Sequence, residues 1–134
     1  MHIGWFVHNS TTTNMILSVP GFTTIDGFEI TMSAPSATPS ENGAMHVSTA
    51  TTAGTTSFAH SILLDLNNGT PITRLSETYC AQHYDVDTST NLTRRVVSGV
   101  LVGYGTDGSG NATIEIDYDR VTSAYKQYIK VWGS

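Results

Sequence analysis

Apolar residues alternate with polar ones over most of the chain, and short segments rich in Gly, Pro, Asn and Asp interrupt the alternation. Near the amino terminus, for example, Ile3, Trp5 and Val7 share one side of a segment, and the residues between them share the other. Successive side chains of a β-strand point to opposite faces, so alternation of this kind predicts strands. The predicted strands cover residues 2–8, 15–19, 23–32, 45–52, 57–66, 71–84, 94–104, 113–118 and 125–132.

Turn signals lie between these strands. Asp26-Gly27 predicts a turn or a bulge within the third strand. Asn68-Gly69 predicts a hairpin turn, because both central residues of a type I′ turn need a positive φ. Residues 107–111 (DGSGN) predict a further turn, and residues 33–44, with two prolines and no large apolar residue, predict the longest loop.

These elements predict an all-β fold. Eight or so short strands with almost no helical periodicity are typical of an antiparallel β-sandwich, here a jelly-roll-like one. One stretch leaves an alternative open, since residues 75–82, inside the strand predicted over residues 71–84, also fit a short helical turn. A chain of 134 residues has the usual size of one domain, so residues 1–134 are predicted to form a single sandwich domain.

The composition supports this fold and narrows the function. Thr and Ser supply 21 and 14 of the 134 residues, and Thr is β-branched and favours the pleated surface of a sheet. Two Lys and four Arg stand against 11 acidic residues, which gives a formal charge of −5. Because so few cations cannot neutralise a run of phosphates, no nucleic-acid partner is expected. The scarcity of charged residues also argues against a coiled coil or helical bundle.

Cys80 is the single cysteine, which leaves no intrachain disulfide and predicts a small buried hydrophobic residue. Residues 1–10 (MHIGWFVHNS) contain no basic stretch and too short an apolar run for a signal peptide. No window approaches the roughly 18 apolar residues of a membrane span, so none is expected. We therefore expect synthesis in a reducing cytosol, without a signal peptide.

A polar segment in the second half of the chain is the best candidate for a ligand site. Aromatic side chains beside acids and amides are common in sugar-binding sites, although aromatic residues on strands more often form core or cross-strand pairs. Tyr84, Asp85 and Asp87, followed by Asn91, have the most of this character. These four residues are the predicted ligand-binding residues.

The sequence contains no convincing catalytic or metal motif. Asp-x-Asp triplets at residues 85–87 and 117–119 are compatible with a Ca²⁺ site, but a solvated strand face or loop is the commoner setting of such pairs. The five His residues lack H-x-H and H-x-x-x-H spacing, and no G-x-S-x-G nucleophile motif is present. We therefore predict no catalytic residues, no metal site, no cofactor and no enzymatic activity.

Both ends of the chain carry features of a known group of proteins. Residues 2–21 contain a first strand, a polar turn and an apolar strand that ends at Gly21-Phe22, and the final strand closes on Trp132-Gly133. In these features the chain resembles the small all-β virion surface modules of tailed bacteriophages, which are head decoration (cement) proteins or tail-fibre modules. The resemblance implies a viral structural protein, assembled in the host cytoplasm and located on the virion. It does not extend to residues 33–87.

Two functions stay open from the sequence. The first is a capsid decoration (cement) subunit that stabilises the virion surface through oligomeric contacts, with Trp5 and Trp132 as interface residues. Its partners would be other virion proteins and further copies of this chain, for which a trimer is our expectation. The alternative is a carbohydrate-binding, receptor-recognition module of a phage tail fibre or a lectin-like protein, with surface glycans as partners. Scarce lysine leaves sheet edges without their usual protective charge, which favours the first.

Overall fold

The computed structural model describes residues 1–7, 14–33, 45–64, 72–87, 92–121 and 126–134. Within these ranges the regular elements are all β-strands. They are β1 (His2–Val7), β2 (Asn14–Val19), β3 (Ile25–Ser33), β4 (Met45–Ala53), β5 (Thr56–Leu64), β6 (Ile72–Ser76), β7 (Ala81–Asp87), β8 (Leu92–Thr106), β9 (Ala112–Val121) and β10 (Lys126–Gly133). The residues of the predicted Asn68-Gly69 turn, and those of the predicted loop after Ser33, lie outside the described residues.

The strands form two sheets in which all neighbours are antiparallel. The six-stranded sheet has the order β1-β10-β3-β4-β5-β6, and the four-stranded sheet has the order β2-β9-β8-β7. The two sheets bury their inner faces against each other, as in other β-sandwiches. The prediction of an all-β antiparallel sandwich is therefore confirmed.

The strand predicted over residues 71–84 is two strands in two different sheets. β6 pairs with β5 in the six-stranded sheet, whereas β7 pairs with β8 in the four-stranded sheet. The turn between them is held by the Ser76 hydroxyl oxygen, which accepts from the backbone N–H of Thr78 at 3.1 Å and of Tyr79 at 3.4 Å. The alternative of a helical turn over residues 75–82 was wrong, because the chain uses this segment to cross between the layers.

The apolar core lies between β3 and β10 on one side and β8 and β9 on the other. The alternation predicted over residues 113–118 holds, since Ile114, Ile116 and Tyr118 point inward. From the six-stranded sheet, β3 contributes Phe28 and Ile30. The core is completed by other buried residues of both sheets: Val19, Met32, Cys80, Ala81, Val96, Val97, Val121, Ile129 and Val131.

The turn predicted over residues 107–111 is present and joins β8 to β9. The Asp107 carboxylate accepts from the backbone N–H of Ser109 at 2.8 Å and of Asn111 at 2.9 Å. It also accepts from the Ser18 hydroxyl of β2, so one side chain ties the turn to the neighbouring strand. The Ser18 hydroxyl, followed by the Asn111 and Ser109 donors, lowers the pKa of Asp107 to about 2.

Candidate functional site

The predicted ligand-binding residues Tyr84 and Asp85 lie on β7, an edge strand of the four-stranded sheet. Asp87 is the last residue of that strand, and Asn91 lies outside the described residues. Because Tyr84 and Asp85 are consecutive on a strand, their side chains point to opposite faces of the sheet. The two do not form one surface, and the binding role of the segment stays a prediction.

The carboxylate of Asp85 is paired with an arginine of the neighbouring strand. Arg94 of β8 lies directly opposite Asp85 and donates from Nε to Oδ1 at 2.6 Å and from Nη2 to Oδ2 at 3.2 Å. Two parallel contacts of this kind match the planar guanidinium to the carboxylate. They fix the orientation of Asp85 and place the Arg94 side chain, itself largely exposed, beside it.

One acid of the second Asp-x-Asp triplet, at residues 117–119, is paired with its own sheet. Tyr118 between the two acids is buried, and Asp119 accepts from the Ser98 hydroxyl and lies 3.8 Å from Nη2 of Arg95. Arg95 also donates from Nη1 to the Tyr79 hydroxyl at 2.7 Å, so its guanidinium links Tyr79 to Asp119. Within the described ranges, no three His, Cys, Asp or Glu side chains lie together as metal ligands would.

A polar network lies inside the sandwich between β4, β5 and β7. Ser48 donates to the Ser61 hydroxyl oxygen at 2.8 Å, and its own oxygen lies 2.8 Å from Nδ1 of His83. Gln82 donates from Nε2 to Ser61 at 3.1 Å and to the Arg74 carbonyl at 3.4 Å. We call Ser48, Ser61, Gln82 and His83 the polar network; all four side chains are buried.

The polar network is not arranged for nucleophilic catalysis, although it contains a serine beside a histidine. The single hydroxyl hydrogen of Ser48 is used on Ser61, so Nδ1–H of His83 donates to Ser48. A catalytic base would instead accept the serine proton. Burial, reinforced by the nearby His46 and opposed by Asp85, lowers the pKa of His83 to about 4, so the ring is neutral at pH 7.

Cys80 matches its predicted role as a buried hydrophobic residue. It packs in the apolar core, and its thiol points to the Gly99 carbonyl at 3.4 Å. Burial raises the pKa of the Cys80 thiol to about 12, so the thiolate needed for nucleophilic chemistry is absent near neutral pH.

The two sheets come closest around the polar network. Cα atoms of β4 and β5 lie within 8 Å of Cα atoms of β7, whereas stacked sheets are usually about 10 Å apart. Such an approach leaves little space for side chains between the layers. The inward-facing residues of β4 and β5 are small in this region, namely Ser48, Ala50, Thr52, Ser57, Ala59 and Ser61.

Three large apolar side chains of β5 and β6 are instead on the opposite, outer face of the six-stranded sheet, whereas Leu63 of β5 is buried. Phe58 and Ile62 alternate with the small inward residues of β5 and are 48% and 37% exposed. Leu75 of β6 lies opposite His60, between Phe58 and Ile62 in register, and is 63% exposed. We call Phe58, Ile62 and Leu75 the inverted flank, because along residues 57–62 the small polar side chains face inward and the large apolar ones outward.

The other end of the same outer face carries exposed aromatic residues and both lysines of the chain. Trp5 of β1 is 61% exposed and lies directly opposite Tyr128 of β10. The ammonium of Lys126 lies 4.0 Å from the centre of the Trp5 ring and 5.9 Å from that of Tyr128. Ile3, also exposed, lies opposite Lys130. We call Ile3, Trp5, Lys126, Tyr128 and Lys130 the aromatic edge.

The second predicted interface residue, Trp132, is half-buried against its own sheet. Trp132 lies opposite Gly27 of β3, and a side chain at Gly27 would clash with the indole, since its Cβ would lie 2.7 Å from the ring. Asp26 is the extra residue of the bulge predicted there, because Trp132 pairs with Gly27 and the following Gly133 pairs with Ile25. The structure thus gives Trp132 an internal packing role and leaves its interface role a prediction.

A depression with a volume of about 310 Å³ lies at one end of the sandwich. Thr23, Thr106 and Tyr104 contribute to its wall, and the Tyr104 hydroxyl donates to the Gly54 carbonyl at 2.5 Å. Its lining holds no charged side chain and no histidine or cysteine. It therefore offers the hydroxyl groups of Tyr104 and of three threonines as hydrogen-bonding groups.

No protein-family model, curated protein or solved structure matches this chain. Among the described residues, no helix has the length and apolar character needed to span a membrane.

Sequence reasoning missed the inverted flank and the polar network. Ser48 and His83 are 35 residues apart and belong to different sheets, so no local spacing links them. The alternation of β5 was visible, but alternation alone does not tell which side faces the second layer. The Asp85–Arg94 pair did carry a signal, because two strands joined by a short polar loop bring such charges opposite each other.

Proposed function

We propose that this chain is a non-enzymatic structural subunit that functions in an oligomeric assembly, and that the assembly is the surface of a virion, where the chain acts as a capsid decoration (cement) protein. The observation that carries the proposal is the inverted flank. A sandwich strand normally buries its large residues, yet β5 exposes Phe58 and Ile62 over residues where it buries Ser and Ala.

The exposed apolar residues are grouped, which distinguishes them from ordinary surface residues. Single exposed apolar side chains are normal, but contiguous ones mark interaction surfaces. Phe58, Ile62 and Leu75 lie on two paired strands, and the aromatic edge lies on the same outer face at the far side of the sheet. A partner covering this face would remove both groups from water.

The packing between the sheets behind the inverted flank also supports the proposal. Inside, β4 and β5 approach β7 closely and Ser61 takes part in the polar network, so turning β5 over would break these hydrogen bonds and would expose Leu63. The outward position of Phe58 and Ile62 is therefore built into the packing of the sandwich. A surface of this kind suits a subunit whose outer face is tiled against neighbours.

The virion setting is supported by the resemblance of both chain ends to phage surface modules and by the polar, weakly charged composition. The virion role is tested by mass spectrometry and antibody labelling of tailed-phage particles purified from a culture that produces the chain. Labelling of heads supports decoration, and labelling of tail tips supports receptor recognition. Absence of the chain from the particles contradicts both.

The assembly role is tested by sedimentation velocity over a dilution series. We expect the wild-type chain to form a stable oligomer, and the double variant Phe58→Ser/Leu75→Ser to dissociate at concentrations where the wild type does not. Phe58→Leu is the matched control, because it keeps an apolar side chain at the same position, and it should associate like the wild type. Circular dichroism confirms that each variant is folded. A wild-type chain that stays monomeric at every concentration contradicts the proposal.

A carbohydrate-binding module is the second candidate, favoured by the exposed pair of Trp5 and Tyr128 on neighbouring strands. Flat aromatic faces of this kind suit sugar rings, but Lys126 lies over the Trp5 ring. A glycan array with the wild-type chain, repeated with Trp5→Ala and Tyr84→Ala, separates the two aromatic sites. A monomer that binds a defined sugar supports this candidate, and an oligomer without any glycan signal contradicts it.

A further inference from the structure

We propose that the partner of the aromatic edge is the outer face of the four-stranded sheet of a second copy of this chain. The inference rests on the proposed assembly function and names the two surfaces that meet. It makes the contact heterologous, because two different faces of the molecule are joined.

The outer face of the four-stranded sheet combines apolar and acidic residues over part of its area, and Arg120 is exposed farther along β9, opposite Ser98. Ile16 of β2 lies opposite Glu115 of β9, and Val100 of β8 lies opposite Asp117 of β9. Val102, in the bulge of β8 between Leu101 and Gly103, is exposed as well. We call Ile16, Val100, Val102, Glu115 and Asp117 the acidic face.

The charges of the two surfaces are complementary. The aromatic edge holds Lys126 and Lys130, which are the two lysines of the whole chain. On the acidic face, Glu115 accepts from an uncharged donor of its own sheet, the Asn14 side-chain amide at 2.7 Å, which leaves its negative charge in place. Lys130 lies 3.4 Å from Glu29, an exposed pair that is readily exchanged for another partner.

Like faces would repel each other. Two aromatic edges placed together would bring four lysines into one interface, and two acidic faces would bring four carboxylates together. Juxtaposed like charges cost several kcal/mol at an interface, whereas opposite charges also speed the encounter. The charge pattern therefore selects the mixed contact over either symmetric one.

The apolar residues of the two surfaces also match. Trp5 and Tyr128 are the residue types that most often dominate binding energy, and they face a partner surface of aliphatic Ile16, Val100 and Val102. Both surfaces are faces of twisted antiparallel sheets, which pack on each other in an aligned manner. Because the contact is heterologous, repeated use gives a closed ring or an open filament.

The test uses two charge-reversal variants and their mixture. Lys126→Glu/Lys130→Glu makes the aromatic edge acidic, and Glu115→Lys/Asp117→Lys makes the acidic face basic. Each variant alone should associate more than about 100-fold more weakly than the wild type. Mixed in equal amounts, the two variants should associate again, because each contact between unlike variants then pairs opposite charges. Glu77→Lys/Asp26→Lys, which changes the net charge equally at exposed positions on neither surface, is the control and should associate like the wild type.

The outcomes separate this inference from the proposed function. Loss of association in each variant and recovery in the mixture support the inference. A wild-type oligomer that neither variant weakens overturns the inference and leaves the assembly function standing. A wild-type chain that is monomeric throughout overturns both.

Discussion

The centre of the sandwich and its flank bury opposite kinds of residue. In the centre, Phe28 and Ile30 of the six-stranded sheet meet Ile114 and Ile116 of the four-stranded sheet. Behind the inverted flank, β4 and β5 meet β7 through small residues and the polar network, and Phe58 and Ile62 lie outside. The centre is complete within one chain, whereas the flank leaves apolar surface for a neighbour. The six-stranded sheet is thus half of the core on its inner face, and we propose that its outer face is half of an interface.

The largest contrast should appear when the same substitution is made on the two sides of the six-stranded sheet. Phe28→Ala removes a fully buried ring and should lower the free energy of unfolding by about 3–5 kcal/mol. Phe58→Ala should lower it by about 1 kcal/mol or less in dilute, monomeric protein, while weakening association. Urea denaturation of both variants measures the difference. Equal losses would show that Phe58 belongs to the core of the single chain.

The polar network should make the flank sensitive to acid. The folded pKa of His83 is about 4 and the unfolded value is about 6.5, so between these values the unfolded chain binds the additional proton. Stability should therefore fall as the pH drops from about 6.5 to about 4, by about 3 kcal/mol in total. Unfolding free energies of the wild type and His83→Gln across this range measure the effect.

The His83→Gln variant should lack this part of the pH dependence, and its remaining slope should come from other groups. Since the variant could fail to fold, titration of the His83 ring by NMR provides an independent readout. If the His83 ring titrates near pH 6.5 in the folded protein, the polar network is not shielded from water, which would contradict this prediction.

A smaller effect is expected from the serine at the centre of the polar network. Ser48→Ala leaves Nδ1–H of His83 and the Ser61 oxygen each without one bond, and should cost about 1–3 kcal/mol. Ser109→Ala, in the exposed turn after β8, is the control and should change stability by less than about 0.5 kcal/mol. Thermal unfolding of the two variants compares them. If Ser48→Ala is as neutral as the control, the network adds nothing to the packing of β7.

The smallest perturbation is a chemical probe of the centre. The Cys80 thiol, buried and with its pKa raised to about 12, should not react with a thiol reagent in native buffer and should react fully once the chain is unfolded. Absorbance of the released thiolate follows the reaction. Rapid labelling of the native protein would mean that the apolar core around Cys80 opens frequently.

The sequence predicted which side chains point inward at the centre of the sandwich better than it did for β5, and the reasons are physical. Ile114, Ile116 and Tyr118 alternate with acids and polar residues, so their inward face could be recognised. Phe58 and Ile62 alternate with Ser and Ala, and the expectation that large residues point inward fails where β7 lies too close. The position of β7 depends on the crossing between layers at residues 77–80, which the pattern of residues 71–84 did not reveal.

The candidate surfaces were predictable only in part. Trp5 was singled out as an interface residue, and the structure places it exposed at a sheet edge, but its contact with a partner stays a prediction. The acidic face required the register of β2, β8 and β9, because Ile16, Val100 and Glu115 are far apart in sequence. The pattern of apolar and polar residues within one strand does not tell which residues of other strands lie opposite it.

Hydroxyl-radical footprinting across a concentration series, with the mass measured by light scattering on the same samples, tests the central claim most directly. As the mass rises above that of one chain, we predict that Trp5, Phe58 and Leu75 lose reactivity, while Arg94, whose side chain is 55% exposed and belongs to neither surface, keeps it. Reactivity of these three residues that stays constant while the mass rises, or a mass that never exceeds one chain, would contradict the account.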